Sequence, residues 1–142
     1  MKKYSICLLA MILLIVSVAS VNAATAMQAT AEKSASVFSV SRMLIAGSIE
    51  DREPVGAVSA YSASTEKVYC FLEAIDIKEN TKVSFVWYHE DKRMAIVTLP
   101  LNKGSKWRTY SSKKLGALTG EWKVELQDAG GNVILDVGFT VE

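Results

Sequence analysis

The last strand-length run of the chain, Val133-Ile134-Leu135-Asp136-Val137-Gly138-Phe139-Thr140-Val141, places Val133, Leu135, Val137, Phe139 and Val141 at every second position. Side chains alternate between the two faces of an extended strand, so this spacing describes a strand with one face in oil and one in water. From Val37 to the end of the chain this period of two recurs, and no stretch of 12 or more residues shows a 3.6-residue period. Val68 to Ile75 is apolar on both faces, as a central strand requires. Val83, Phe85 and Trp87 share one face; a polar turn at His89-Glu90-Asp91-Lys92 follows, and Met94 to Leu101 returns as the second arm of a hairpin. Trp122, Val124 and Leu126 alternate with Lys123, Glu125 and Gln127, and Asp128-Ala129-Gly130-Gly131-Asn132 supplies turn residues that tolerate positive φ. Val37 to Ile49 alternates loosely up to the charged turn Glu50-Asp51-Arg52-Glu53-Pro54, and Val55 to Ala60 reads as a further short strand. The sum is seven or eight short strands in about 105 residues, which predicts an all-β, antiparallel two-sheet sandwich of Ig-like architecture, with a closed barrel as the alternative. Trp87, Trp122 and Phe139 are the expected core aromatics.

The N-terminal residues follow other rules. Lys2 and Lys3 precede an apolar run from Ile6 to Ala19, and Val21-Asn22-Ala23 offers residues suited to cleavage. That order reads as a signal peptide over residues 1–23, with an uncleaved anchor as the alternative. The run falls short of the ~20 residues that span a bilayer. Residues 24–36 are rich in Ala, Ser and Thr and read as a linker to a domain over 37–142. The expected location is periplasmic or secreted. Removal of 1–23 lowers the basic count from 16 to 14 against 15 acids, a net charge too small to recruit nucleic acid or anionic lipid. Cys70 would then be the sole cysteine, unable to form an internal disulfide and most simply a buried small hydrophobe.

Little in the sequence favours catalysis. The chain has one His, His89, read as a solvated turn residue, and no ligand cluster for zinc. Asp128 and Asn132 offer too few oxygens for calcium. Ser111 and Ser112 have no base near them in sequence and no strained nucleophile turn. Pairs of carboxylates could be drawn from Asp51, Glu53, Glu73 or Asp76, but 15 acids in a short chain always supply such pairs. Neither a cofactor nor enzymatic activity is expected.

Lys106-Trp107-Arg108-Thr109-Tyr110-Ser111-Ser112-Lys113-Lys114 is the stretch that most resembles a site. As a strand it divides into an inward row of Trp107, Thr109, Ser111 and Lys113 and an outward row of Lys106, Arg108, Tyr110, Ser112 and Lys114. Five basic residues and no acid lie between Lys103 and Lys114, whereas Leu115 to Glu142 holds five acids and one Lys. Arg108 and Tyr110 are i, i+2 neighbours of the outward row and can stack. Two readings compete: a ligand strip, or an edge strand whose lysines prevent aggregation. Arg52 likewise is either a loop arginine presented to an acidic partner or a bridge between acids that fixes how a strand leaves its sheet.

Asp51-Arg52-Glu53-Pro54, Trp107-Arg108-Thr109-Tyr110-Ser111-Ser112-Lys113 and Gly120-Glu121-Trp122-Lys123-Val124, with Asp128 and Gly131 after them, together resemble the bacterial family known as domain of unknown function 2914. The resemblance spans Val37 to Glu142. It implies a small exported or membrane-tethered β domain and carries no catalytic residues. The expected function is a non-enzymatic envelope module that binds or scaffolds a protein partner through Arg108, Tyr110, Ser112 and Lys114, with Arg52 outlying. The alternative is a carbohydrate-binding module for envelope glycan, which calls for Tyr88 and Tyr110 exposed in a row.

Overall fold

The computed structural model describes residues 36–142, and the leader and linker expectations for 1–35 lie outside it. Ten strands, and no helix, form among the described residues: β1 (Ser39–Ala46), β2 (Ser48–Glu50), β3 (Glu53–Val55), β4 (Ala60–Tyr61), β5 (Lys67–Ile77), β6 (Thr81–His89), β7 (Lys92–Leu101), β8 (Gly104–Lys114), β9 (Gly120–Gln127) and β10 (Val133–Val141). They assemble into a three-stranded sheet ordered β1-β5-β8, a five-stranded sheet ordered β4-β10-β9-β6-β7, and a two-stranded β2-β3 sheet. Pairing is antiparallel throughout except for β4, which runs parallel to β10. The sheets remain separate rather than closing into one barrel.

Alternation decides which side chains enter the core. From the large sheet come Val83, Phe85 and Trp87 of β6, Trp122, Val124 and Leu126 of β9, and Phe139 and Val141 of β10; from the small sheet come Ile45 of β1 and Val68, Cys70, Leu72 and Ala74 of β5. All are buried. Trp122 stacks on Phe139 at 6.0 Å, and Trp87 meets the same ring edge-on at 6.4 Å. A hydrogen bond from Trp87 Nε1 to Ser111 Oγ, 3.0 Å long and buried, links β6 of one sheet to β8 of the other.

Several sequence expectations change. The loose alternation from Val37 to Ile49 divides into β1 and β2, and β2 returns through β3 as a hairpin of its own. Asp51 and Arg52 at its tip both have positive φ, 47° and 65°, the geometry of a two-residue hairpin turn. Glu90 and Asp91 do the same between β6 and β7, at 46° and 63°. The expected strand from Val55 to Ala60 does not form: Val55 ends β3, and Ala60 opens the two-residue β4. Val133 is 56 % exposed rather than inward, because the β9–β10 register shifts between Val133 and Leu135 and the extra residue moves it off the core face. Among the described residues no helix is long and apolar enough to cross a membrane.

Candidate functional site

The outer face of the small sheet is built in rows set by register. Arg42 of β1 pairs with Glu73 of β5, and Glu73 pairs with Arg108 of β8. Phe71 lies between Leu44 and Tyr110 in the next row, and Tyr69 between Ala46 and Ser112 in the row after that. The β2-β3 hairpin contacts β1 and β5 and brings Glu53 onto the first row. Two guanidinium groups and two carboxylates then close a ring. Arg42 donates to Glu73 Oε2 at 3.0 Å and to Glu53 Oε2 at 3.1 Å; Arg108 Nε donates to Glu73 Oε2 at 2.8 Å, and its Nη1 lies 2.9 Å from Glu53 Oε1. Glu73 is 5 % exposed, and the hydrogen bonds from Arg42, then from Arg108, hold its carboxyl at about 2, well below the ordinary carboxylate value. Lys106 Nζ stands 4.0 Å from the same oxygen. The Arg42 guanidinium also sits 5.1 Å from the Phe71 ring centre, so Phe71 is buried although its row points away from the core.

Beside this ring runs an open groove of about 870 Å³ along β8, lined by Arg52, Leu99, Lys106, Trp107, Arg108 and Tyr110, with Phe71 and Thr109 behind. Arg52 and Tyr110, distant in sequence, therefore line the same groove. The inward row of β8 is as expected: Ser111 is buried, and Trp107, Thr109 and Lys113 are half-buried. In the outward row Lys106, Arg108, Tyr110, Ser112 and Lys114 are all exposed. Ser112 and Lys114 lie beyond the groove, and Lys114 Nζ approaches Glu66 at 3.9 Å.

Two expectations for the site are corrected. Arg108 does not stack on Tyr110; Glu53 and Glu73 draw its guanidinium aside, and Tyr110 instead meets Tyr69 edge-on at 5.7 Å. The bridge between acids is formed by Arg42 and Arg108, while Arg52 is exposed at the hairpin tip. Arg42 and Glu73 were the residues that sequence reasoning missed. The available signal was Glu73 itself: an acid in the middle of an apolar central strand needs cations from its two flanking strands.

On the other sheet Tyr88 lies half-buried, its hydroxyl donating to Glu125 at 3.3 Å and its ring 5.0 Å from Lys123 Nζ. Tyr88 and Tyr110 thus belong to different sheets and form no row. A second groove, of about 500 Å³, is lined by Tyr88, Glu90, Asp91, Glu121, Lys123 and Asp136. His89 is not a free turn residue: it ends β6, its Nε2 lies 2.7 Å from the Thr119 carbonyl oxygen, and its ring lies 4.7 Å from Trp122. Asp128 Oδ1 accepts from the Gly130 and Asn132 amides at 2.9 Å each, so the turn satisfies its own acid. Among the described residues no group of three His, Cys, Asp or Glu side chains is placed to hold a metal ion.

The chain aligns with solved structures of β-glucosidase from Kluyveromyces marxianus, selenomethionine-labelled and in complex with glucose, each 11 % identical with a TM-score of 0.44 over 74 % of this chain and 14 % of that one. β-Glucosidase from Listeria innocua in complex with glucose is similar at 10 % identity and a TM-score of 0.43, over 73 % of this chain and 15 % of that one. The chain spans 14–15 % of the length of those enzymes. No curated protein matches the sequence. Asp51 to Pro54, the first of the motifs quoted above, lies before the segment in which a family match is found. Over residues 80–141, from just before β6 to the end of β10, the chain matches the family described as Protein of unknown function (DUF2914), which is the family its motifs resemble.

Proposed function

We propose that this chain is an exported, non-catalytic module of the bacterial envelope, built on an Ig-like two-sheet scaffold, that captures a protein partner along β8. The observation that carries this reading is the groove that joins Arg52, Lys106 and Tyr110 beside the edge strand of the small sheet. Tyr110 is 48 % exposed and offers an aromatic anchor, the residue type enriched where partners dock. Arg52 and Lys106 supply cations at its rim. Arg108 acts from below by holding the Glu53 and Glu73 carboxylates, so its role is to position the groove wall. Ser112 and Lys114 extend the surface along the strand. Export is supported by the leader-like order of residues 1–23.

The non-catalytic reading rests on how the reactive side chains are engaged. Ser111 Oγ is buried and accepts from Trp87, while His89 lies on the large sheet against Trp122. A protein partner is favoured over a glycan because Tyr88 and Tyr110 lie on different sheets and form no row of rings on which successive sugars could stack. The test is a photo-crosslinking amino acid placed at Tyr110 or, as a control on the other sheet, at the exposed Ile96. In envelope extract the Tyr110 probe is expected to give a discrete adduct, abolished by Arg52→Glu, and the Ile96 probe none. Equal adducts from both positions, or none from Tyr110, overturn the proposal.

A further inference from the structure

β8 is an edge strand: in the order β1-β5-β8 it pairs with β5 alone among the described residues. Its 11 residues contain no proline, so alternate backbone N–H and C=O groups along its outer side are available to another strand. Such an edge is a hazard unless something selects what may join it. Here charge makes the selection. Lys103, Lys106, Lys113 and Lys114 leave cations along the strand and the turn before it, while Arg108 is engaged by Glu53 and Glu73. Antiparallel pairing with β8 of a second copy would set this cationic row against itself, and like charges opposite one another destabilise a ladder. An acidic strand meets the reverse condition.

The side chains flanking the edge specify more. On β8 the groove takes Lys106 and Tyr110 from the outward row and Trp107 from the opposite face, with Arg52 of the hairpin and Leu99 of β7 completing its walls. A strand added to β8 would send its side chains alternately to these walls, like to like every ~7 Å. We infer that the open edge of β8 accepts an extended segment of the partner whose acidic and apolar side chains alternate, acids toward Arg52 and Lys106 and apolar groups toward Leu99 and Trp107. Main-chain hydrogen bonds would supply affinity, and the alternating pockets would supply selectivity. This deepens the binding-module reading and rests on it.

The probe is a synthetic peptide of alternating glutamate and valine. Its controls are a peptide of the same composition with all glutamates preceding all valines, and a lysine–valine counterpart. Amide hydrogen exchange is read by NMR on the intact domain. The alternating peptide should slow every second amide of β8 between Lys106 and Ser112, and the block and lysine peptides should not. Arg52→Gln combined with Lys106→Gln should weaken it about tenfold, as loss of two rim charges would, and Arg52→Gln alone, outside the ion pairs around Glu73, should weaken it in part with the thermal melt unchanged. Equal binding of the alternating and block peptides, protection elsewhere, or no protection overturns strand addition. The two proposals fail differently: a Tyr110 adduct without alternate-amide protection leaves the binding surface standing and removes the strand, whereas loss of the adduct removes the surface itself.

Discussion

At the residue scale the molecule is organised by Glu73. A nearly buried carboxylate is tolerated only where its charge is answered, and Arg42 and Arg108 answer it from both neighbouring strands. Because the carboxyl titrates lower in the folded chain than its ordinary 4.5, the stability it lends is complete above that value and drains away as pH falls from 4.5 toward about 2. The melting temperature of the wild type should therefore fall toward that of Glu73→Gln across this window, with the two well separated at neutral pH. Parallel curves throughout would show that Glu73 contributes nothing through its charge. Which residues face out from β8 was legible from alternation alone, and each proved to lie on the expected face. What Arg108 does there was not, because its partners Glu73 and Glu53 are 35 and 55 positions away in sequence and only the register of β5 against β8 brings the first of them opposite.

At the scale of elements, the β2-β3 hairpin is the feature that local sequence described least well. Its polar tip was legible as a turn, but three-residue strands carry too little alternation to declare themselves, and nothing nearby in sequence says that Glu53 will reach β1 and β8. The hairpin matters to the site because it carries Arg52 to the groove. Glu53→Gln weakens the contact that secures it, and since Glu53 is 42 % exposed the cost to global stability should be small, ~1 kcal/mol or less. The local effect should be larger: trypsin should cut after Arg52 faster in the variant, as followed by intact mass. An unchanged cleavage rate would mean that the hairpin is held by something other than its carboxylate. The β6-β7 and β9-β10 hairpins, by contrast, were legible at once, because long alternating arms flank clear turn residues.

Across the whole molecule, alternation was enough to give an all-β chain with antiparallel sheets and to name Trp87, Trp122 and Phe139 as core. It undercounted the strands, since β2, β3 and β4 are too short to show a period. The shared core makes the large sheet intolerant of truncation at its centre. Trp122 is 2 % exposed, stacks on Phe139 and donates from Nε1 to the Leu118 carbonyl at 3.1 Å. Trp122→Ala should cost ~3–5 kcal/mol in denaturant unfolding, and a midpoint equal to that of the wild type would contradict its placement. Cys70 lies in the same interior, fully buried on β5, and burial pushes its thiol pKa up so that the sulfur stays protonated. That gives the chain a built-in clock. With reagent in excess, so that modification outpaces reclosing, alkylation at Cys70 followed by peptide mass mapping advances only when the core opens, and so times the lifetime of the native state without any engineered probe.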